Sequence, residues 1–224
     1  MADRGGARRI VTIDGPAGVG KSTLAKRVAR HLGVAYLDTG AMFRGTALAL
    51  GENAWNLPEA ELEAKLAALR FSLEGTGADS RVCLDGRPLG DEIRTEKVGM
   101  WASNLAVLPV VRAAQKAAQQ AIGRTTALVA EGRDMGTVIF PEASCKVFLD
   151  ARPEVRAKRR VKQLREMGKE ADYETILADI QKRDHQDRTR ATAPLKPAID
   201  AHVIDTSNLD IDQVFAAIMA VTTE

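Results

Sequence analysis

The sequence predicts an α/β fold, a parallel sheet with covered faces, and three observations lead there. Strand-like and helix-like segments alternate from the first apolar run onward. The first strand passes through a glycine-rich turn straight into a helix-period segment, the junction typical of parallel α/β units. The composition, 45% hydrophobic and 28% charged over 224 residues, suits a chain with a sizeable core and excludes disordered and collagen-like classes. A length near one and a half average domains points to one core with insertions.

The β-branched run from Arg9 to Asp14 reads as the first strand and Lys21 to Leu32 as the helix after it. Val34 to Leu37 is a second short strand, and Asp38-Thr-Gly supplies a cap for a helix from about Ala41 to Leu50. Pro58 opens an amphipathic helix reaching Leu69. The texture then changes. Phe71 to Glu74, Arg81 to Leu84 and Arg87 to Leu89 are short runs separated by a Gly75-to-Asp79 turn and by Asp85-Gly86, which predicts a small antiparallel unit. Asp91 to Ala106 and Pro109 to Ile122 read as helices, and Thr126 to Ala130 as a strand with Glu131 at its end. Cys145 to Leu149 is a further strand. Pro153 to Arg190 is helical and charge-rich, broken only at Gly168, before a last strand at Ala201 to Ile204 and a last helix at Ile211 to Val221. The expected organisation is one domain, with a core over 8–56, 94–152 and 191–224 and insertions over 57–93 and 153–190.

A net charge of +2 is too near balance to indicate nucleic acid or a membrane surface. The apolar stretch after MADRGGARR is far shorter than a secretory signal requires, so a cytoplasmic location is expected. Cys83 and Cys145 stand without metal-binding spacing and read as reduced core thiols. His31, His185 and His202 are scattered singly and carry no chemistry in this reading.

Gly15-Pro16-Ala17-Gly18-Val19-Gly20-Lys21-Ser22 fits the pattern GxxxxGK[ST], placed between a strand and a helix as the mechanism requires. Small residues let the backbone wrap with its N–H groups turned toward a polyphosphate, and the helix N-terminus adds positive potential. Lys21 reaches the β and γ phosphates, and the Ser22 hydroxyl is a hard-oxygen donor suited to Mg²⁺. Glu131, ending a core strand, is the leading candidate for holding the metal's water shell, with Asp14 and Asp38 as alternatives.

Such a loop identifies the donor and leaves the reaction open. No NKxD box and no DxxG element accompany it, which argues against a guanine-reading switch, and nine aromatic residues offer few stacking platforms for a nucleic-acid motor. Arginines lie near carboxylates instead: Arg44, Arg112, Arg133 with Asp134, and the run Arg183-Asp-His-Gln-Asp187-Arg188-Thr-Arg190. Guanidinium groups match phosphate two-pronged and stay charged, so they suit phosphoryl transfer to a phosphorylated acceptor, which needs no general base. The basic stretch 153–169 reads equally well as a solvated helix face.

Ile13 to Thr23, Leu37 to Arg44, Glu92 to Thr95, Gly132 to Thr137 with Phe140-Pro141, and Arg183 to Arg188 with Ala193 to Leu195 together resemble the bacterial cytidylate kinases, nucleoside monophosphate kinases acting on CMP and dCMP with ATP. The resemblance runs from Ile10 to Val221. It implies a five-stranded parallel core with helices on both faces, a monophosphate-binding insert near 57–93 and a helical lid near 153–190. It also implies an ATP-binding stretch from Gly15 through Thr23 with Mg²⁺ as cofactor. A monomer is the default expectation, since no obvious exposed apolar stripe is present, and the composition leads to no nucleic-acid or membrane partner.

By the same resemblance, Thr39, Arg44, Ser103, Arg112, Arg133, Asp134, Arg183, Asp187 and Arg190 bind the acceptor. Arg44, Arg133 and Arg190 would hold its phosphate, Ser103, Arg112 and Asp134 would read cytosine, and Asp187 with Arg183 would contact the sugar. Lys21, Arg133, Arg183 and Arg190 would carry catalysis. The base-reading set is chemically sensible, since cytosine offers an amino donor to a carboxylate and acceptors to Arg and Ser. Thr39 stands where some relatives have serine, and Gln186 where some have arginine. Other acceptors, UMP, AMP or a non-nucleotide metabolite, and an RNA-stimulated ATPase remain open on the residues alone.

Overall fold

The computed structural model describes residues 9–222, so the leader expectation at residues 1–8 and the outermost ends of the expected core fall outside it. The strands are β1 (Ile10–Asp14), β2 (Ala35–Asp38), β3 (Phe71–Glu74), β4 (Arg81–Leu84), β5 (Arg87–Pro88), β6 (Leu128–Gly132), β7 (Cys145–Asp150) and β8 (His202–Asp205). The helices are α1 (Lys21–Leu32), α2 (Thr39–Leu50), α3 (Glu59–Ala68), α4 (Glu96–Leu105), α5 (Pro109–Thr125), α6 (Pro153–Glu166), α7 (Tyr173–Thr189) and α8 (Ile211–Thr222). Five strands form the expected parallel sheet in the order β2-β6-β1-β7-β8, and β3-β4-β5 form a separate antiparallel sheet. Val11 to Asp14 pair with Cys145 to Phe148, and Val147 to Asp150 with His202 to Asp205, both in parallel register. Four of the five residues of β1 and five of the six of β7 are buried, the signature of central strands covered on both faces.

The described residues divide into two compact units, 9–10 with 29–130 and 11–28 with 131–222. In the first, α2 to α5 enclose a core that includes Leu62, Leu66, Ile93, Val98, Trp101, Leu105 and Val111. Each such leucine or isoleucine contributes about 1.5–3 kcal/mol when removed from water. The antiparallel sheet pairs Phe71 with Leu84 and Glu74 with Arg81. Asp85 and Gly86, both left-handed at φ 51° and 75°, close the β4–β5 hairpin as the Asp-Gly pair predicts. Cys83 and Cys145 are buried free thiols.

Two boundaries differ from the sequence expectation, and the break expected at Gly168 is present. The helix expected from Asp91 to Ala106 is a short 3₁₀ turn at Asp91–Arg94 followed by α4, because Thr95 is extended and its hydroxyl accepts from the Val98 amide. The strand expected at Thr126–Ala130 runs from Leu128 to Gly132, so Glu131 lies inside it while Thr126 caps α5. The charged stretch after Pro153 is two helices. Gly168 (φ 70°) ends the first, and Asp172 starts α7 by accepting from the Thr175 amide at 2.8 Å.

In the second unit α6 packs along α7, and α8 lies against β7 and β8 through buried Val214 and Ile218. After β6 comes a wide π turn at Met135–Ile139, which local propensity did not reveal. Its first amides are capped from far away. The Asp14 carboxylate at the end of β1 accepts from Met135 N at 2.9 Å and Gly136 N at 2.8 Å.

Candidate active site

The loop from Gly15 to Gly20 leaves β1 and delivers Lys21 and Ser22 to the first turn of α1. Gly15 has φ 153°, and a Cβ there would sit 2.2 Å from the Leu149 carbonyl oxygen of β7, so only glycine allows the approach. Lys21 is buried, with Nζ donating to the Pro16 carbonyl at 2.7 Å. Ser22 and Thr23 are exposed. Burial first, and the Arg133 charge second, bring the Lys21 ammonium down to about 7, against the opposing pull of Glu131, Asp14 and Asp187. The same seclusion raises Asp14 to about 6, despite the two amides that favour its charged form.

Around the start of the π turn, carboxylates and guanidinium groups interlock. Arg133 Nε donates to Asp187 at 2.8 Å, and Arg190 lies 3.7 Å from both Asp134 and Asp187. Asp134 is buried and the other three are partly buried. Asp187 and Arg190 come from the end of α7, which brings four of the sequence-predicted acceptor residues into one network. Arg183, on the same helix, is exposed and makes no ion pair with any described residue. Glu131 is buried in β6. Of the two alternatives for the metal's water shell, Asp14 caps the π turn and Asp38 caps α2 by accepting from the Ala41 amide at 2.9 Å.

The first unit holds the remaining predicted acceptor residues. Thr39, the first residue of α2, is buried. Arg44 donates from one guanidinium nitrogen to the Ile93 carbonyl at 3.1 Å and the Thr95 carbonyl at 3.3 Å. Its guanidinium lies across Gly99 of α4, where a Cβ would come within 2.9 Å of it. Arg112 is buried at the start of α5, donating to the Ala106 carbonyl at 3.2 Å with its guanidinium 5.9 Å from the Phe43 ring centroid. Ser103 is exposed on α4.

A sequence-family model described as cytidylate kinase matches residues 11–224. The chain is 61% identical over 206 residues to the cytidylate kinase of Maridesulfovibrio salexigens, covering 92% of each chain. It is 58% identical to that of Oleidesulfovibrio alaskensis, covering 94% of this chain and 96% of the relative. The chain belongs to the cytidylate kinase family. Among solved structures, an uncharacterized protein from Eubacterium ventriosum superposes with a TM-score of 0.51 at 16% identity, over 96% of this chain and 98% of that one, a likeness of fold. In this cytidylate kinase family member no described helix is long and apolar enough to cross a membrane.

Sequence reasoning missed what several residues around the carboxylate–guanidinium network do. Asp14, an alternative candidate for the metal's water shell, caps the π turn, 121 positions from its partner, a distance no local pattern spans. Arg156 lies in a stretch that reads as solvated and is 1% exposed, while its neighbours Lys158, Arg160, Lys162 and Arg165 do face solvent. It forks onto Asp184 of α7. Arg188 pairs with Asp150 at the end of β7 at 3.0 Å. Only the i, i+3, i+4 spacing of Asp184, Asp187 and Arg188 hinted that one face of α7 is docked.

Proposed function

We propose that the chain transfers the γ-phosphoryl group of ATP to CMP or dCMP, giving ADP and CDP or dCDP. The observation that carries this reading is the Arg133–Asp187–Arg190–Asp134 network, close enough to Lys21 for Arg133 and Asp187 to shift its titration. In the reaction an acceptor phosphate oxygen attacks the γ phosphorus in line as its bond to the β-phosphate oxygen breaks. Lys21 meets the charge developing between donor phosphates, and Arg133, Arg183 and Arg190 meet that on the transferring group and the acceptor. The attacking oxygen is already ionised, so no side chain need remove a proton.

The backbone of Gly15 to Gly20, with Lys21, Ser22 and Thr23, holds the donor triphosphate. Arg44, Arg133 and Arg190 bind the acceptor phosphate, and Thr39 contacts the acceptor through its hydroxyl. Ser103, Arg112 and Asp134 read cytosine, while Asp187 and Arg183 contact the sugar. The segments 57–93 and 153–190 act as monophosphate-binding insert and lid. A hydroxyl at Ser22 and a carboxylate at Glu131 fit Mg²⁺ carried on the triphosphate, since that ion keeps several waters and takes few protein oxygens. When bound it neutralises donor phosphate charge. The enzyme acts as a cytoplasmic monomer.

The test is ADP release measured with CMP, dCMP, UMP, AMP and GMP, with and without Mg²⁺. CMP and dCMP should give the highest kcat/KM, and a preference for AMP would overturn the assignment. Asp134→Ala should raise the KM for CMP and narrow the gap to UMP, because a lost buried hydrogen bond costs about 1–3 kcal/mol, five- to over a hundredfold. Unchanged discrimination would remove Asp134 from base reading.

A further inference from the structure

We infer that Arg156 and Asp184 form a positioning clamp that sets the phosphate cradle against α7 and so governs donor affinity. The Arg156 side chain is 1% exposed and its three nitrogens are all engaged. Nε donates to the Ala151 carbonyl at 2.9 Å, at the junction of β7 and α6. One terminal nitrogen donates both to the Ala17 carbonyl of the cradle at 3.0 Å and to Asp184 Oδ1 at 2.9 Å, and the other pairs with Asp184 Oδ2. A Cβ on Gly18 would lie 3.6 Å from the Arg156 Cβ, so the arginine runs alongside the loop.

The geometry has a direct consequence for the cradle. A peptide is planar and trans, so the carbonyl of Ala17 and the N–H of Gly18 point in opposite directions. Holding that oxygen on the guanidinium turns the Gly18 N–H the other way, away from Arg156. Asp184 fixes the guanidinium in the plane that permits this, since a forked pair constrains both partners. Lysine has the charge without the fork and cannot hold Ala151, Ala17 and Asp184 together. Asp184 stands one helical turn before Asp187 and Arg188, on the α7 face that also reaches Arg133 and Asp150. The clamp therefore ties the orientation of the cradle to the docking of α7.

This rests on the assignment of Gly15 to Thr23 as the donor site. The test measures ATP and CMP affinities by calorimetry, KM for each substrate, kcat and thermal stability in Arg156→Met, Arg156→Lys and Asp184→Asn. The expected result is a loss of ATP affinity of about tenfold or more in Arg156→Met, the size of one hydrogen bond to a charged group, with CMP affinity within about twofold. Arg156→Lys should restore only a minor part, and Asp184→Asn, which preserves shape, should weaken ATP binding without unfolding the protein. The double variant Arg156→Met/Asp184→Asn should be no worse than Arg156→Met alone. ATP affinity unchanged in Asp184→Asn and in any Arg156 variant that folds, or equal losses for ATP and CMP, would overturn the clamp. Failure of the unaltered protein to bind ATP would overturn the donor assignment and the clamp with it, which separates the two.

Discussion

Lys21 shows how burial can make the charge of a cation conditional. With its ammonium held at about 7 against an ordinary 10.5, a large part of the population is neutral above neutrality until a polyanion arrives. Donor binding at pH 8 should therefore take up close to one proton. Calorimetry in buffers of different ionisation enthalpy reads this directly, and a heat independent of buffer would refute it. The stability sign follows from the same shift. The unfolded chain holds the proton up to 10.5 and the folded chain releases it near 7, so the cost of burying Lys21 is full below pH 7 and shrinks as pH rises toward 10.5. Lys21→Ala should lower kcat by several orders of magnitude in the ADP-release assay. The placement of Lys21 at the start of α1 was legible in the sequence because it follows from neighbours within eight residues. Asp14 and Arg156 were not, because their meaning lies in groups more than a hundred positions away.

Helix boundaries were legible where the cap is unambiguous and blurred where it is not. Asp38 marked the start of α2 from sequence, and its carboxylate does accept from the Ala41 amide. Thr95 and Asp172 do the same work for α4 and α7; periodicity carried across Thr95, whereas Gly168 marked the break before Asp172. Removing such a cap costs about 1 kcal/mol. Asp172→Ala should accordingly lower the denaturant midpoint slightly and raise amide exchange in the first turn of α7 well above that in α1. Equal exchange in the two helices would deny the cap its role. The π turn after β6 was invisible for a different reason: its opening amides are satisfied by β1, so no residue inside the turn announces it.

At the scale of the molecule, strand–helix alternation was enough to indicate the parallel sheet, whereas the strand order β2-β6-β1-β7-β8 is set by pairings between distant segments. Ligand linkage gives a test at the same scale. CMP at a hundred times its Kd should add about 2.7 kcal/mol and raise Tm by roughly 5–10 °C in a chain of this size. UMP at the same concentration should give a clearly smaller rise, and equal rises would argue against cytosine reading. The pairing of Arg133 and Arg190 with Asp187 and Asp134 bears on which anions gain entry. A visitor carrying only negative charge must compete with resident carboxylates for the guanidinium groups, and gains little when it wins. A nucleotide that also gives Asp134 a donor compensates the displaced partner. On the proposed reading, inorganic phosphate alone should therefore bind this network more weakly than a cytosine nucleotide does.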